Sequence, residues 1–261
     1  MKKEIEKSAE SHAGENPTNP GSVIAMIPAR YAATRFPGKL MQMLGDKTVI
    51  RHTYEAALSS GLFDDVIVVT DSDIIQTEIT AAGGHVIMSK NEHESGSDRI
   101  AEAADTINAD IIVNVQGDEP FIAKEPLEKL IELFNDESVQ VGSLMRKITE
   151  EEAADSNCVK VVTGKNGDAL YFSRSTIPFN RSGDADYYLH VGVYAYRKEM
   201  LLDFTSWPAT QLEQTEKLEQ LRLLENGIKI RMAETDYQNI AIDTPENLAD
   251  AIKWLSFNKK S

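Results

Sequence analysis

Residues 24–39 read IAMIPARYAATRFPGK, a short apolar run followed by a loop that carries three cations. The apolar run has strand character, and we expect the strand to break at Pro28. Arg30, Arg35 and Lys39 then fall within ten residues of a chain whose formal net charge is −15. Arginine offers phosphate oxygens a planar fork of donors and lysine offers a compact point charge, so the loop is interpreted as a polyphosphate site. A solvated basic loop is the alternative.

The composition is that of a globular protein and excludes several classes. With 261 residues, of which 41% are hydrophobic, the chain can bury a core as one domain, or as one domain with a subdomain. The acidic balance argues against general nucleic-acid binding. The single Cys158 cannot form an intramolecular disulfide, which fits a reducing cytoplasm, and no apolar run approaches the roughly 20 residues that span a bilayer. Residues 1–21 lack the apolar segment of a secretory signal, and we expect a disordered leader there.

From residue 23 onward, apolar runs of strand type alternate with segments of helical period. The predicted strands are 23–27, 66–70, 85–88 and 111–115, and the predicted helices are 48–60, 74–82, 97–107 and 125–134. Repeated β-α units of this length predict an α/β fold, a Rossmann-like and mostly parallel sheet with helices on both faces.

After about residue 139 the pattern changes to that of a smaller mixed β part. Predicted strands at 159–163 and 169–173 flank the hairpin signal Gly-Lys-Asn-Gly, and residues 187–196 alternate enough for another strand. We also predict a helix over 214–225, short strands over 228–230 and 240–242, and a closing helix over 245–257.

Charged residues follow the first and fourth predicted strands, which commonly flank the switch point where open α/β sheets bind ligands. Residues 28–30 leave the first strand, and residues 116–120, Gln-Gly-Asp-Glu-Pro, leave the fourth. Asp118 can hold Mg²⁺ together with substrate phosphates, or it can simply open a turn. Asp243 repeats this arrangement, although its segment 243–246 also suits a helix N-cap box. The two aspartates together with the basic loop favour a metal site.

Other polar segments are open to two interpretations. The run Asp71-Ser72-Asp73 has the form of the D-x-D metal motif of many glycosyltransferases, but it precedes a helical run and favours an N-cap. Ser95, Gly96 and Arg99 open a helix where small residues allow a flat base to lie against the backbone, or where a serine only caps the helix. His93 has no partner at ligand spacing, and we expect a surface or packing role for it.

A second group of polar residues is set among apolar residues in the later half. Arg174 is a natural carboxylate clamp. His190, Tyr194 and acidic residues such as Glu216 could accept sugar hydroxyls. Each of these residues is ambiguous when taken alone.

Taken together, the segments resemble the CMP-Kdo synthetase family, the 3-deoxy-manno-octulosonate cytidylyltransferases, over residues 23–255. The matching pieces are residues 28–39, 81–84, 95–99, 113–120, 169–178, 190–197, 218–222 and 243–246. The chain departs from the family pattern at Leu40, where proline often follows the Gly-Lys pair, and around residues 211–215.

The resemblance implies a fold and a reaction. The implied fold is the glycosyltransferase-A-like nucleotidyltransferase sheet, a single domain over 22–261 in which residues 22–138 bind the nucleotide and residues 139–261 bind the sugar and form the dimer. The implied enzyme is a cytoplasmic homodimer that requires Mg²⁺ and has no nucleic-acid or membrane partner. It transfers CMP from CTP to 3-deoxy-D-manno-octulosonate (Kdo), releases pyrophosphate and so activates Kdo for lipopolysaccharide biosynthesis.

The resemblance also implies roles for individual residues. The implied nucleotide contacts are Pro28, Ala29, Arg30, Arg35, Lys39, Ser95, Gly96, Arg99 and Asp118, of which Arg30, Arg35, Lys39 and Asp118 are catalytic. The implied Kdo contacts are Gln116, Arg174, His190, Tyr194 and Glu216. The implied metal ligands are Asp118 and Asp243.

Three alternatives stay open at this point. A cytidylyltransferase for a related sugar acid such as 8-amino-Kdo would share the nucleotide side. A glycosyltransferase using Asp71 and Asp73 would bind a nucleotide sugar without releasing pyrophosphate. A non-catalytic nucleotide-binding regulator would have no need of both candidate metal carboxylates.

Overall fold

The computed structural model describes residues 21–32, 36–238 and 240–258, so Arg35 and nearly all of the predicted leader lie outside the described residues. The strands are β1 (Val23–Ala29), β2 (Met43–Leu44), β3 (Lys47–Thr48), β4 (Asp65–Thr70), β5 (His85–Met88), β6 (Ile111–Asn114), β7 (Val141–Ile148), β8 (Lys160–Thr163), β9 (Ala169–Ser173), β10 (Tyr187–Arg197) and β11 (Ile230–Glu234). The helices are α1 (Val49–Ser59), α2 (Asp73–Ala81), α3 (Gly96–Ala104), α4 (Lys124–Glu132), α5 (Glu150–Ala154), α6 (Lys198–Ser206), α7 (Gln211–Glu216), α8 (Leu221–Glu225) and α9 (Pro245–Asn258). Within the described ranges no helix is both long and apolar enough to cross a membrane.

One large sheet organises the chain. Its strand order is β11-β7-β10-β6-β1-β4-β5, with β8 paired to β10 and β9 paired to β8. β1 lies parallel to both β4 and β6, whereas β10 runs antiparallel between β6 and β7. The chain passes from β1 to β4 and β5 and then returns to the other side of β1, so the strand order reverses between β1 and β6. The predicted switch point is therefore confirmed, and the strands of the later half continue the same sheet.

Both faces of the sheet are buried, as the predicted parallel architecture requires. Successive side chains of a strand point to opposite faces, and along β1 the residues Ala25 and Ile27 join one hydrophobic layer while Ile24 and Met26 join the other. Helices α1, α2 and α4 cover the first layer, and α3, α6 and α8 cover the second. The two layers hold the carboxyl ends of β1 and β6 rigidly side by side.

The predicted end of the first strand is wrong. β1 continues through Pro28, which pairs with Val69 of β4, and ends at Ala29. β6 pairs with β1 only as far as Met26. A proline, which lacks an N–H group, is tolerated where a strand has lost one of its neighbours.

Two predictions in the later half are also wrong. The helix predicted over 214–225 is divided into α7 and α8, because Lys217 ends α7 in the left-handed conformation with a φ of 55°. Residues 240–242 form no strand, and the Ile242 N–H instead donates to the Asp118 carbonyl at 2.9 Å. That bond brings the start of the C-terminal helix to the end of β6.

Candidate functional site

A cleft of about 300 Å³ opens at the carboxyl ends of β1 and β6. Every described residue of the predicted nucleotide set lines it, namely Pro28, Ala29, Arg30, Lys39, Ser95, Gly96, Arg99 and Asp118. Gln116, from the predicted sugar set, lines it as well. Three segments that are far apart in the sequence thus meet at one place.

Two glycines allow the walls of the cleft to approach each other. A Cβ added at Gly117 would lie 3.0 Å from the carbonyl oxygen of Pro28, and one at Gly96 would lie 3.1 Å from Cγ of the same proline. Both distances are shorter than ordinary carbon contacts. The exit of β6 and the start of α3 therefore pack directly against the exit of β1.

Lys39 connects the two predicted metal ligands. Its ammonium donates to the Asp118 carboxylate and, at 2.8 Å, to Oδ1 of Asp243. Burial opposes the charge on Lys39, but the charges and hydrogen bonds of the two carboxylates outweigh it, so the pKa of Lys39 is raised. The predicted cap role of Asp243 falls to Thr244, whose Oγ1 accepts the Asn247 N–H at 3.2 Å.

The donor set suits one divalent cation that is shared with a ligand. Asp118 and Asp243 direct oxygens at a single cationic centre, the Lys39 ammonium. Across the described part of the chain there is no group of three or more His, Cys, Asp or Glu residues that could hold a metal ion. Mg²⁺ is commonly bound by one or two carboxylates plus substrate phosphates and water, which fits this pair.

The N-terminus of α3 faces the cleft with its cap in place. The Ser95 hydroxyl accepts the Asp98 N–H at 3.1 Å, and the Ser95 N–H donates to the Asp98 carboxylate at 3.2 Å. Ser95 is therefore both a helix cap and a lining residue, so its two interpretations are compatible. The partial positive charge of a helix N-terminus favours an anionic ligand beside it.

Arg99 is buried, and its charge is balanced by Asp71, one of the two aspartates of the D-x-D run. Its Nη2 donates to Oδ2 of Asp71 at 2.7 Å, and the arginine side chain is 5% exposed. The Asp71-Ser72-Asp73 run supplies the N-cap residue of α2, Ser72, as predicted, although the Ser72 side chain makes no cap hydrogen bond.

His93 is a cleft residue that the sequence interpretation missed. Its Nε2 lies 2.5 Å from Oε2 of Glu102. The same oxygen accepts from the Ser89 hydroxyl at 3.1 Å, and Oε1 of Glu102 accepts from the Lys90 N–H at 2.9 Å. Burial alone would raise the pKa of Glu102, but these hydrogen bonds lower it to about 2. The contact with Glu102 is compatible with the expected packing role, but the position of His93 in the cleft was not predicted. The position of His93 two residues before the cap Ser95 was a usable signal.

The predicted Kdo contacts on β10 lie at the same edge of the sheet as Asp118. Tyr194 pairs with Asn114 at the end of β6, and because β10 runs antiparallel, His190 extends past that end. His190 Nε2 lies 3.0 Å from the Ser143 hydroxyl, which donates to the Val193 carbonyl at 2.9 Å. The His190 ring contacts the rings of Phe172 and Tyr194, and burial lowers the pKa of His190 to about 3. Its imidazole is thus neutral at pH 7.

Arg174 and Glu216 are bonded to each other beyond the end of β9. The Glu216 carboxylate accepts the Ser173 hydroxyl at 2.6 Å and the Arg174 N–H at 3.1 Å. Arg174 Nε donates back to the Glu216 carbonyl at 3.0 Å. Neither residue lines the cleft at the ends of β1 and β6, so the structure brings them together as a separate pair.

Glu219, which is absent from the predicted Kdo contacts, is bonded to α3 beside the cleft. Its Oε2 accepts the hydroxyl of Ser97 at 2.8 Å, and Ser97 follows the cleft residue Gly96 in α3. Burial raises the pKa of Glu219.

Comparison with known proteins agrees with this geometry. The sequence model of the family described as Cytidylyltransferase matches residues 24–230. A 3-deoxy-manno-octulosonate cytidylyltransferase from Flavobacterium johnsoniae is 58% identical over 235 residues, which cover 88% of this chain and 96% of the relative. A protein of the same name from Christiangramia forsetii is 53% identical over 240 residues, with 90% and 97% covered.

Solved structures are similar as well. A CMP:2-keto-3-deoxy-manno-octonic acid synthetase complexed with CTP superposes with a TM-score of 0.88 at 40% identity, covering 91% of this chain and 99% of that one. A 4-diphosphocytidyl-2C-methyl-D-erythritol synthase from Anaerococcus prevotii has a TM-score of 0.62 at 16% identity, covers 91% of this chain and 100% of its own, and shares the fold alone. The predicted α/β nucleotidyltransferase fold is confirmed, and the chain belongs to the cytidylyltransferase family.

Proposed function

We propose that this protein transfers CMP from CTP to Kdo, giving CMP-Kdo and pyrophosphate, and so activates Kdo for lipopolysaccharide biosynthesis. The observation that carries the proposal is the cleft in which Arg30, Lys39 and Asp118 meet at the switch point of the sheet. The names of the relatives and the CTP complex of the similar solved structure support this choice of substrates.

The reaction is a direct displacement at phosphorus. The anomeric hydroxyl of Kdo attacks the α-phosphorus of CTP, and the bond from that phosphorus to the pyrophosphate oxygen breaks. Positioning and charge stabilisation supply the catalysis, as in phosphoryl transfer generally. Arg30 and Lys39 face the cleft and provide positive charge for the triphosphate, together with Arg35 by resemblance. No covalent enzyme intermediate is required.

Asp118 and Asp243 would hold Mg²⁺ in this proposal. When bound, the ion supplies positive charge to the attacking oxygen and the α-phosphate. The carboxylates also keep Lys39 protonated by raising its pKa, so its charge is maintained at the floor of the cleft.

The sugar acid would bind beyond the carboxyl end of β6, where β10 continues past it. Gln116 lines the cleft at this end of the sheet, and the neutral His190 and the hydroxyl of Tyr194 offer hydrogen bonds to sugar hydroxyls. Arg174 would bind the carboxylate of Kdo beside Glu216. The ion pair between Asp71 and Arg99 weighs against the glycosyltransferase alternative, since it engages one of the two D-x-D carboxylates.

The test is pyrophosphate release from CTP and Mg²⁺ with Kdo, sialic acid and 8-amino-Kdo offered separately. Release with Kdo alone, abolished by EDTA, is the expected result. Release with only another acid would keep the reaction and change the substrate. No release with any of the three would contradict the proposal.

We further propose that the protein works as a homodimer in the cytoplasm, where CTP is made. Large apolar side chains on the hairpin and on the loop that follows it support an interface with a second copy. Leu170 is 65% exposed and Phe179 is 87% exposed.

A further inference from the structure

Lys160, the first residue of β8, carries an ammonium group in a fully buried place. The residue is 0% exposed. Its Nζ donates to three main-chain carbonyl oxygens, those of Asp155 at 2.8 Å, Cys158 at 2.6 Å and Arg174 at 2.6 Å. An ammonium has three N–H donors, so each of them is used. Burial lowers the pKa of Lys160, and the carbonyl dipoles are what make the buried charge tolerable.

The three carbonyls belong to two pieces of the chain. Asp155 and Cys158 lie in the loop between α5 and β8, where the Cys158 N–H donates to the Asp155 carbonyl at 3.2 Å, and Arg174 follows β9. The Arg174 side chain returns to the first piece, because its Nη1 donates to the Ser156 carbonyl at 3.3 Å. The Lys160 ammonium and the Arg174 side chain therefore both connect Arg174 to the loop of residues 155–158.

The chain around Lys160 is also bonded to the segment that contains His190. Lys160 is paired with Ser173 on one side and with Leu189 on the other. The His190 N–H donates to the carbonyl of Val159 at 2.8 Å, one residue before Lys160. The lysine thus sits between the residues that precede Arg174 and His190, two of the proposed Kdo contacts.

We infer that Lys160 is a positioning residue for Kdo, an inference that rests on the proposed function. It touches no substrate in this role. It holds the main chain of Arg174 so that the Arg174 N–H and Nε keep donating to Glu216, and it keeps β8 in the register that places His190. The nucleotide cleft receives none of these bonds, so CTP binding does not depend on them.

The test compares Lys160→Met with the matched control Lys198→Met. Lys198 Nζ also donates to a main-chain carbonyl, that of Ile107 at 2.7 Å. Ile107 precedes β6, at the end of the sheet away from the proposed Kdo contacts. Methionine keeps an unbranched side chain only one atom shorter and removes the donors. We expect the KM for Kdo to rise about tenfold in Lys160→Met, with the KM for CTP within twofold of wild type, and both constants unchanged in the control.

Lys160→Gln covers the case in which the methionine variant does not fold, because an amide still offers two N–H donors. CTP binding by calorimetry reports whether the nucleotide cleft of each variant is formed. A KM for Kdo raised more than threefold with the CTP values unchanged, in either folded variant, supports the inference. Any other pattern overturns it, including equal changes for both substrates and failure of both variants to fold. Absence of Kdo-dependent pyrophosphate release in the wild type would overturn the proposed function instead, before any variant is compared.

Discussion

The Lys39 ammonium, at the cleft, is shared by the carboxylates of Asp118 and Asp243. Two carboxylates close together repel each other, and the shared ammonium is what stabilises both. The sequence indicated all three residues but not their contact. Lys39 and Asp243 are separated by 204 residues, and no local pattern reports a contact across that distance.

Asp118→Asn tests the centre of this group. The amide keeps the shape of the side chain and can still accept from Lys39, but it removes the negative charge proposed to hold Mg²⁺. We expect kcat to fall by at least about 100-fold in a steady-state pyrophosphate assay, with the melting temperature nearly unchanged. Asp105→Asn, at the exposed end of α3, is the control and should behave as wild type. Near-normal turnover of Asp118→Asn would remove Asp118 from the metal site.

Glu102 predicts a pH dependence of stability at acidic pH. Its pKa in the folded protein is about 2, below its usual value of 4.5, so the unfolded chain takes up the proton first. The stabilisation from Glu102 is therefore complete above about pH 4.5 and is lost as the pH falls toward 2.

The measurement is urea unfolding of Glu102→Gln and wild type at pH 5 and pH 3. The variant should be less stable by about 1–3 kcal/mol at pH 5, and the difference should shrink at pH 3. Glu150→Gln, exposed at the start of α5, is the control. A difference that is equal at both pH values would show that the His93–Glu102 contact does not depend on the carboxylate charge.

At the scale of elements, the first half of the chain was predictable because its signals are local. The β-branched run of β4 and the apolar period of α1 each report burial directly. Gly167 has a φ of 79° in the hairpin between β8 and β9, as the glycine-rich signal predicted. These elements are where propensity, pattern and turn chemistry agree.

The later half was predicted less well because its elements depend on distant partners. β7 was not predicted as a strand, and its residues VGSLMRKI are buried on both faces between β10 and β11 without a regular alternation. The single helix over 214–225 was a reasonable extension of its leucine spacing. The helix is interrupted over residues 217–220, beginning at the left-handed Lys217, which carries no glycine signal.

Lys217→Gly should stabilise the protein. A side chain with Cβ is strained at a φ of 55°, whereas glycine adopts this conformation without cost, and Lys217 is exposed and buries no contact. The gain is reduced because glycine is more flexible in the unfolded chain. We expect about 0.5–1 kcal/mol, or roughly 1–4 °C in melting temperature by calorimetry. Lys217→Ala keeps the Cβ and should bring no gain; a Lys217→Gly variant no more stable than it would contradict the strain argument.

At the scale of the whole molecule, the sheet brings the predicted nucleotide contacts and two predicted Kdo contacts to the same end of its strands. The exits of β1 and β6 bring the predicted nucleotide contacts together, and the antiparallel β10 brings His190 and Tyr194 to the same end of the sheet. The sequence indicated both groups of residues. It did not indicate the strand order, which depends on pairing between β6 and β10 rather than on either strand alone.

The dimer proposal is tested by light scattering coupled to size exclusion. Wild type should have twice the 28.9 kDa mass of the chain, and Phe179→Ser should shift the mass toward the monomer. Phe257→Ser is the matched control, since Phe257 is also strongly exposed, at 78%, but lies in the C-terminal helix. A wild-type mass of one chain would refute the dimer. If Phe179→Ser remains a dimer, the interface does not depend on the loop that carries Phe179.

The place of β10 between β6 and β7 also has a consequence for synthesis on the ribosome. β1, β4, β5 and β6 can pair as soon as they emerge, but the outer side of β6 has no neighbour until residues 187–197 follow. β7 emerges earlier than β10 and must wait for it before joining the sheet. The nascent chain therefore carries unpaired strand edges, the kind of surface that templates aggregation, while α5, β8 and β9 are still being made. Asp243 follows all of these strands in the sequence, so a growing chain has a nearly complete sheet before it has the last residue of the candidate site.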